Sequence, residues 1–137
     1  MGKISGPLLD RIDLHIEVPA VEYRDIASTR AEEASATIRE RIRCARERQR
    51  TRFHSDKKTN CNARMGPRQI AQHCKLSSES QELIHVAMTQ LNLSARAYDR
   101  ILKVSRTVAD LESSEEITSE HVSEAIQYRT FDRTLWV

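Results

Sequence analysis

Residues 12–18 alternate strictly: Ile12, Leu14, Ile16 and Val18 are apolar, while Asp13, His15 and Glu17 are not. A period of two marks a half-buried β-strand. No later stretch repeats the pattern. A single strand leaves its backbone donors and acceptors without partners and cannot build a sheet alone. The chain therefore reads as a piece of something larger, with the rest of the sheet left behind. A turn signal precedes the strand at Ser5, Gly6 and Pro7, and Pro19 ends it. Arg11 stands at the strand's entrance, where a loop can hold it toward a phosphate or a neighbouring subunit.

Everything downstream reads as helix. Residues 22–30 form a connector. A helix follows from about Ala31 to Phe53, rich in Ala, Glu and Arg, with Ser28 or Thr29 as cap. Ile38, Ile42 and Ala45 give it a thin apolar stripe. Residues 54–65 lack any period and read as a loop. Pro67 suits the first position of a short helix, with Ile70, Ala71 and Cys74 inward. Ser77 or Ser78 caps a helix from Glu79 to Leu91, whose inward face holds Leu83, Ile84, Ala87, Met88 and Leu91. Asn92 ends it, tolerating the left-handed backbone of a helix terminus. Ser94 caps the best-patterned helix, Ala95 to Leu111, with a core stripe at Ala97, Ile101, Val104, Val108 and Leu111. Thr118 or Ser119 caps a last helix through Tyr128, with Val122, Ala125 and Ile126 inward. The tail holds Phe131, Leu135 and Trp136, which should dock. The fold class is mainly α: a helical bundle carrying one N-terminal orphan strand.

Composition agrees, since only 4% of the chain is aromatic and 31% is charged, which suits modest aliphatic helix packing better than a β-sandwich. A net charge of +2 does not announce nucleic-acid binding by itself. No apolar run is long enough to span a bilayer, and no signal-peptide pattern opens the chain. Cys44, Cys61 and Cys74 lack C-x-x-C spacing and read as free thiols of a cytoplasmic protein.

Three cationic features carry alternative readings. Arg11 either pairs with Asp10 or Asp13 at the surface, or presents its guanidinium to the γ-phosphate of a neighbour's nucleotide. Arg96, Arg100 and Lys103 lie at i, i+4, i+7, opposite the apolar stripe, and Asp99 can support Lys103. They form either a solvated face or a phosphate-facing one. Arg96 falls in its helix's first turn, where the helix dipole disfavours a cation, which hints at a ligand. Between Arg39 and Arg52 lie seven arginines and two glutamates, either a solvated face or a phosphate-binding ridge, with Phe53 its only aromatic. His73 and Cys74 are adjacent, but no zinc-ligand spacing is present. No G-x-x-x-x-G-K-[ST] phosphate loop occurs, so these residues cannot cradle a nucleotide unaided.

Residues 4–18 (ISGPLLDRIDLHIEV) resemble the arginine-finger segment of magnesium-chelatase-like AAA+ ATPases. Residues 93–111 (LSARAYDRILKVSRTVADL) resemble the sensor-2 helix of the same family, and residues 62–67 (NARMGP) and 125–129 (AIQYR) fit as well. The pattern is most similar to the C-terminal part of the ComM/YifB family. The resemblance implies a cytoplasmic ring, usually a homo-hexamer, that hydrolyses ATP with Mg2+ between subunits and acts on DNA in the manner of a branch-migration helicase. It implies that Arg11 is the arginine finger, acting on the neighbouring subunit's ATP, and that Arg96 is the sensor-2 arginine, reaching the ATP of its own subunit. It divides the chain into the end of the AAA+ core at 1–20, an Arg-rich helix and loop at 21–66, and a helical lid at 67–137. The fragment alone is then expected to bind no cofactor and to be inactive. The rival readings are an autonomous helical nucleic-acid-binding module using the Arg39–Arg52 ridge, and a helical protein-interaction domain without nucleotide.

Overall fold

A computed structural model describes residues 11–20 and 33–134, with side chains as far as residue 129. Five helices make up nearly all of it: α1 Ser35–Arg52, α2 Pro67–His73, α3 Ser78–Gln90, α4 Ala95–Leu111 and α5 Ser119–Thr134. A short 3-10 turn, Asn62–Arg64, sits between α1 and α2. The mainly helical fold class therefore stands. The expected cap at Ser28 or Thr29 lies outside the described residues, and so does the docking of Phe131, Leu135 and Trp136.

The helix boundaries follow local chemistry. Ser77 and Ser94 cap α3 and α4, their hydroxyls accepting from the N–H groups of Ser80 and Ala97. Pro67 opens α2, and Gln69 reaches back to accept from Gly66 N at 3.0 Å. α3 and α4 both end in the doubly bonded left-handed motif. Leu93 N bonds Met88 O and Asn92 N bonds Thr89 O, while Ser114 N bonds Ala109 O and Ser113 N bonds Asp110 O. Asn92 and Ser113 take the positive φ that the motif needs, 43° and 60°. α5 runs on to Thr134 instead of stopping near Tyr128, because no breaker stands between them.

α4 runs through the middle of the bundle, packed on α5, α1, α2 and the 3-10 turn, while α3 packs on α5. Its burial is wider than one stripe. Ala97, Ile101, Leu102, Ala109 and Val108 join the core, but so do Ser105, Arg106 and Asp110. Around them lie Phe53, Met65, Ile70, Ile84, Val122 and Ala125. Some expected inward positions face out: Ile38, Ile42, Ala71 and Leu111 are exposed, leaving Ala45 and Gln49 as the buried residues of α1. For α1 the physical reason is that it docks on α4 through its C-terminal half and the polar bonds of Arg52, so among the described residues its apolar N-terminal positions stay uncovered.

Among the described residues there is no sheet, and residues 12–18 pair with no strand. They lie extended along the helices. His15 N donates to Tyr128 O at 2.8 Å, Arg129 Nη1 donates to Ile12 O at 2.8 Å, and Asp13 forms an ion pair with Arg100. The alternation does not sort into a covered and an uncovered face: Asp13 and Glu17 are exposed, and Leu14 and Ile16 border an apolar cavity against α4 and α5. His15 is half-buried, while Ile12, Leu14, Ile16 and Val18 are exposed, Val18 to 83%. Among the described residues no helix is long and apolar enough to cross a membrane.

Candidate functional site

α4 carries two polar sites, one at its N-terminal end and one at its C-terminal end. At the N-terminal end, Arg96 occupies the first turn, exposed and without an ion pair or hydrogen bond among the described residues. That turn holds no acidic residue to offset it. Arg100, one turn on, is held by Asp13. Lys103 turns to the backbone, donating from Nζ to Ala63 O at 3.1 Å, so the expected support from Asp99 is not made. Arg11 is exposed and unpaired among the described residues. Asp13, one of its two expected surface partners, is taken by Arg100. Because Asp13 is only two residues beyond Arg11, the Asp13–Arg100 pair tethers the Arg11 segment to the helix that carries Arg96.

The C-terminal end of α4 is a closed network around Asp110, which has no exposed surface. Arg52 grips it bidentately, Nη2 to Oδ1 at 2.6 Å and Nη1 to Oδ2 at 2.7 Å. Asn62 Nδ2 donates to Asp110 Oδ2 at 2.8 Å and to Thr107 Oγ1 at 3.1 Å. Arg106 adds a contact at 3.2 Å and donates to Ser114 O and Glu115 O. Burial pulls the Arg106 guanidinium below its ordinary pKa, against the opposing pull of Asp110. This network joins α1, the 3-10 turn and α4 and occupies both carboxylate oxygens of Asp110, while Arg106 Nε is buried without a hydrogen-bond partner among the described residues. Sequence reasoning missed it. The available signal was a charged pair, Arg106 and Asp110, beside the apolar stripe of the best-patterned helix.

The arginine ridge is largely neutralised. Arg41 pairs with Glu33, Arg43 with Glu40 and Arg50 with Glu47. Arg48 donates to Ser113 O and Arg52 holds Asp110. Among the described residues this leaves Arg39 and Arg46. Phe53 is a core residue, its ring 5.6 Å from His73 and edge-on to it, so no base can stack there. His73 and Cys74 do not form a metal centre, for no group of three His, Cys, Asp or Glu converges among the described residues.

The loop after α1 is fixed by Asp56. Its carboxylate accepts from Lys58 N at 2.8 Å, Thr59 N at 3.2 Å and Gln69 Nε2 at 2.5 Å. These bonds, that from Lys58 N foremost, hold its pKa below the usual carboxylate value. The loop and α2 thereby enclose an open cleft of about 650 Å3.

The molecule is thus a helical module with exposed arginines at one end of a central helix whose other end is locked by a buried ion-pair network. The chain belongs to the magnesium chelatase family: residues 32–129 match the family model described as "Magnesium chelatase, subunit ChlI C-terminal", and residues 1–26 match that of "Magnesium chelatase, subunit ChlI". It is 40% identical over 136 residues to "Uncharacterized protein YifB" of Escherichia coli, covering 98% of this chain and 26% of that protein. It is equally similar, over the same shares, to "Competence protein ComM" of Haemophilus influenzae. An uncharacterized protein of Mycobacterium tuberculosis is 30% identical over 131 residues, 94% of this chain and 25% of that protein. The chain therefore spans about a quarter of the length of these relatives.

Proposed function

We propose that this chain is the C-terminal lid region, with the end of the catalytic core, of a ring ATPase that remodels DNA. In this reading residues 67–137 are the lid, Arg11 is the arginine finger serving the ATP of the neighbouring subunit, and Arg96 is a second cation on the nucleotide phosphates. The observation that carries it is Arg96: a guanidinium in a helix's first turn, exposed and unpaired, one turn before an arginine clamped to the segment of Arg11. A cation in that turn costs stability unless an anion meets it. Exposed guanidinium groups suit the phosphates of ATP. In phosphoryl transfer a guanidinium stabilises the charge that builds on the oxygens of the transferred group, and its planar fork suits two of them at once. Arg100 positions: bound to Asp13, it fixes the reach of the Arg11 segment relative to α4. Homo-hexameric assembly and the DNA substrate follow the family resemblance.

The test is ATP turnover by the intact ring protein. Arg11→Ala is expected to lower it about 10³-fold or more, and doping the variant with wild-type neighbours should restore turnover at the variant subunits' own sites. Arg96→Ala should also lower turnover. If Arg96 serves its own subunit, wild-type neighbours will not rescue it. Wild-type turnover by Arg11→Ala overturns the finger assignment.

A further inference from the structure

We infer that the cleft between the loop after α1 and α2 is a docking cradle for the phosphodiester backbone of a nucleic-acid strand, held by Lys58, Arg64 and Arg68. The inference rests on the DNA reading of the proposed function and names the surface of this chain that would meet the strand. The cleft, of about 650 Å3, is open and is lined by these three cations together with Ser55, Gln72 and His73. All three cationic side chains are exposed, and none makes an ion pair or side-chain hydrogen bond among the described residues. That sets them apart from the arginines of α1, most of which already have a carboxylate or a carbonyl. The one acidic residue of the lining, Asp56, does not answer them. Its oxygens accept from Lys58 N, Thr59 N and Gln69 Nε2, so it braces the loop. Gln69 extends the brace, its Oε1 accepting from Gly66 N and Thr59 Oγ1. A braced loop spares the backbone an ordering cost on binding, leaving only that of the cationic side chains. The other lining arginine, Arg52, is committed to Asp110.

The chemistry favours a nucleic-acid strand over an acidic protein segment. Protein partners anchor through apolar side chains in desolvated pockets. Here the large apolar neighbour, Phe53, is buried in the core, and the accessible lining is cationic and polar. A phosphodiester backbone needs only closely set cations along an open groove, and binding gains from counterion release. Without an exposed aromatic or base-reading constellation in the lining, the cradle is expected to be indifferent to sequence.

Fluorescence anisotropy of a labelled oligothymidine with the 137-residue chain tests this between about 50 and 200 mM salt. The triple variant Lys58→Gln, Arg64→Gln, Arg68→Gln is expected to lose at least about tenfold in affinity at the lower salt. Its log–log salt slope should fall in magnitude by about 2, the value for three phosphate contacts on a single strand. Arg39→Gln with Arg46→Gln, the remaining unpaired cations of α1, should change affinity less than about twofold. Far-ultraviolet circular dichroism checks folding, and each single Gln variant, losing a smaller share, keeps the test open if the triple variant misfolds. The cradle is overturned if the wild-type chain does not bind, if the α1 variant carries the loss, or if the cleft variants bind as wild type does. It is also overturned if inorganic phosphate at matched ionic strength displaces the oligonucleotide, which marks a free-phosphate site. Equal competition by polyglutamate per charge marks an acidic-protein surface instead and overturns it too. These outcomes leave the ATP-turnover result at Arg11 and Arg96 untouched, so failure here and failure of the proposed function are distinguishable.

Discussion

Asp110 is the centre of the buried ion-pair network at the end of α4. It has no exposed surface, yet it faces two guanidinium groups and the Asn62 amide. Truncating one partner of such a buried network strands the others, which costs far more than the network's net worth. Asp110→Ala should therefore lower unfolding free energy by about 3–5 kcal/mol in urea titrations. Arg52→Met, which removes one charge and keeps the packing of the stem, should cost less. His73, against this network, behaves oppositely to a stabilising cation. Burial first, then Arg52 and Arg106, depresses its pKa below the ordinary imidazole value. The unfolded chain thus binds a proton that the folded chain resists, so stability present above about pH 6.5 is lost as pH falls through that value. Thermal melts from pH 7 to pH 5 should show this loss, and His73→Gln should flatten it. Burial also pushes the Cys74 thiol up to about 11. Native protein at pH 8 should leave Cys74 unmodified by iodoacetamide, and denaturation should expose it, as peptide mapping will read.

At the scale of the element, the helix ends decide how the bundle is wired. The C-terminus of α4 turns at Ser113, a non-glycine residue with φ 60°. Its carbonyl accepts from Arg48, and the next two carbonyls accept from Arg106. The turn is thus a socket for arginines from α1 and α4, and its geometry is held from outside as well as within. Ser113→Gly should relieve the left-handed strain and raise stability by about 0.5–1 kcal/mol, net of the entropy glycine adds to the unfolded chain. At the other end of the helix, Ser94→Ala removes the cap on Ala97 N and should cost about 1 kcal/mol. Chemical denaturation of both variants measures the two shifts with opposite sign.

At the scale of the whole molecule, the segment at residues 12–18 is held to the bundle by few polar contacts. It is tied by Asp13 to α4 and by Ile12 and His15 to α5, while its apolar side chains stay exposed. Leu14 and Ile16 border an apolar cavity of about 350 Å3 with Val104, Val108, Leu111 and Tyr128. An exposed apolar row of that kind recruits another chain. Light scattering should show concentration-dependent association of the 137-residue chain that is lost when the chain starts at Pro19. If both stay monomeric at high concentration, the row is satisfied within one copy.

The sequence by itself determined the three inner helices, α2, α3 and α4, and most of their ends. Ser77, Ser94, Pro67 and Asn92 act within a turn of their own position, so their chemistry is readable locally. It also carried the α4 stripe at Ala97, Ile101 and Val108, because helical periodicity needs no knowledge of the partner helix. Arg11 and Arg96 were singled out by residue type and position; both are exposed and without partners among the described residues, and ATP turnover of their variants tests the roles proposed for them. What only the tertiary structure decided were pairings between residues distant along the chain. Arg52 meets Asp110, Arg100 meets Asp13, and Arg129 meets Ile12 across separations that no local pattern encodes. In the seven-arginine ridge, Arg43 and Arg50 pair with glutamates three residues before them, which helical spacing encodes, whereas the occupation of Arg48 and Arg52 is tertiary. The distant pairings also cover His15 more than the other residues of 12–18. The periodicity of residues 12–18 fixes that their two faces differ. Which side chains are covered depends on which surface lies beside them, and that surface is assembled only when the bundle folds.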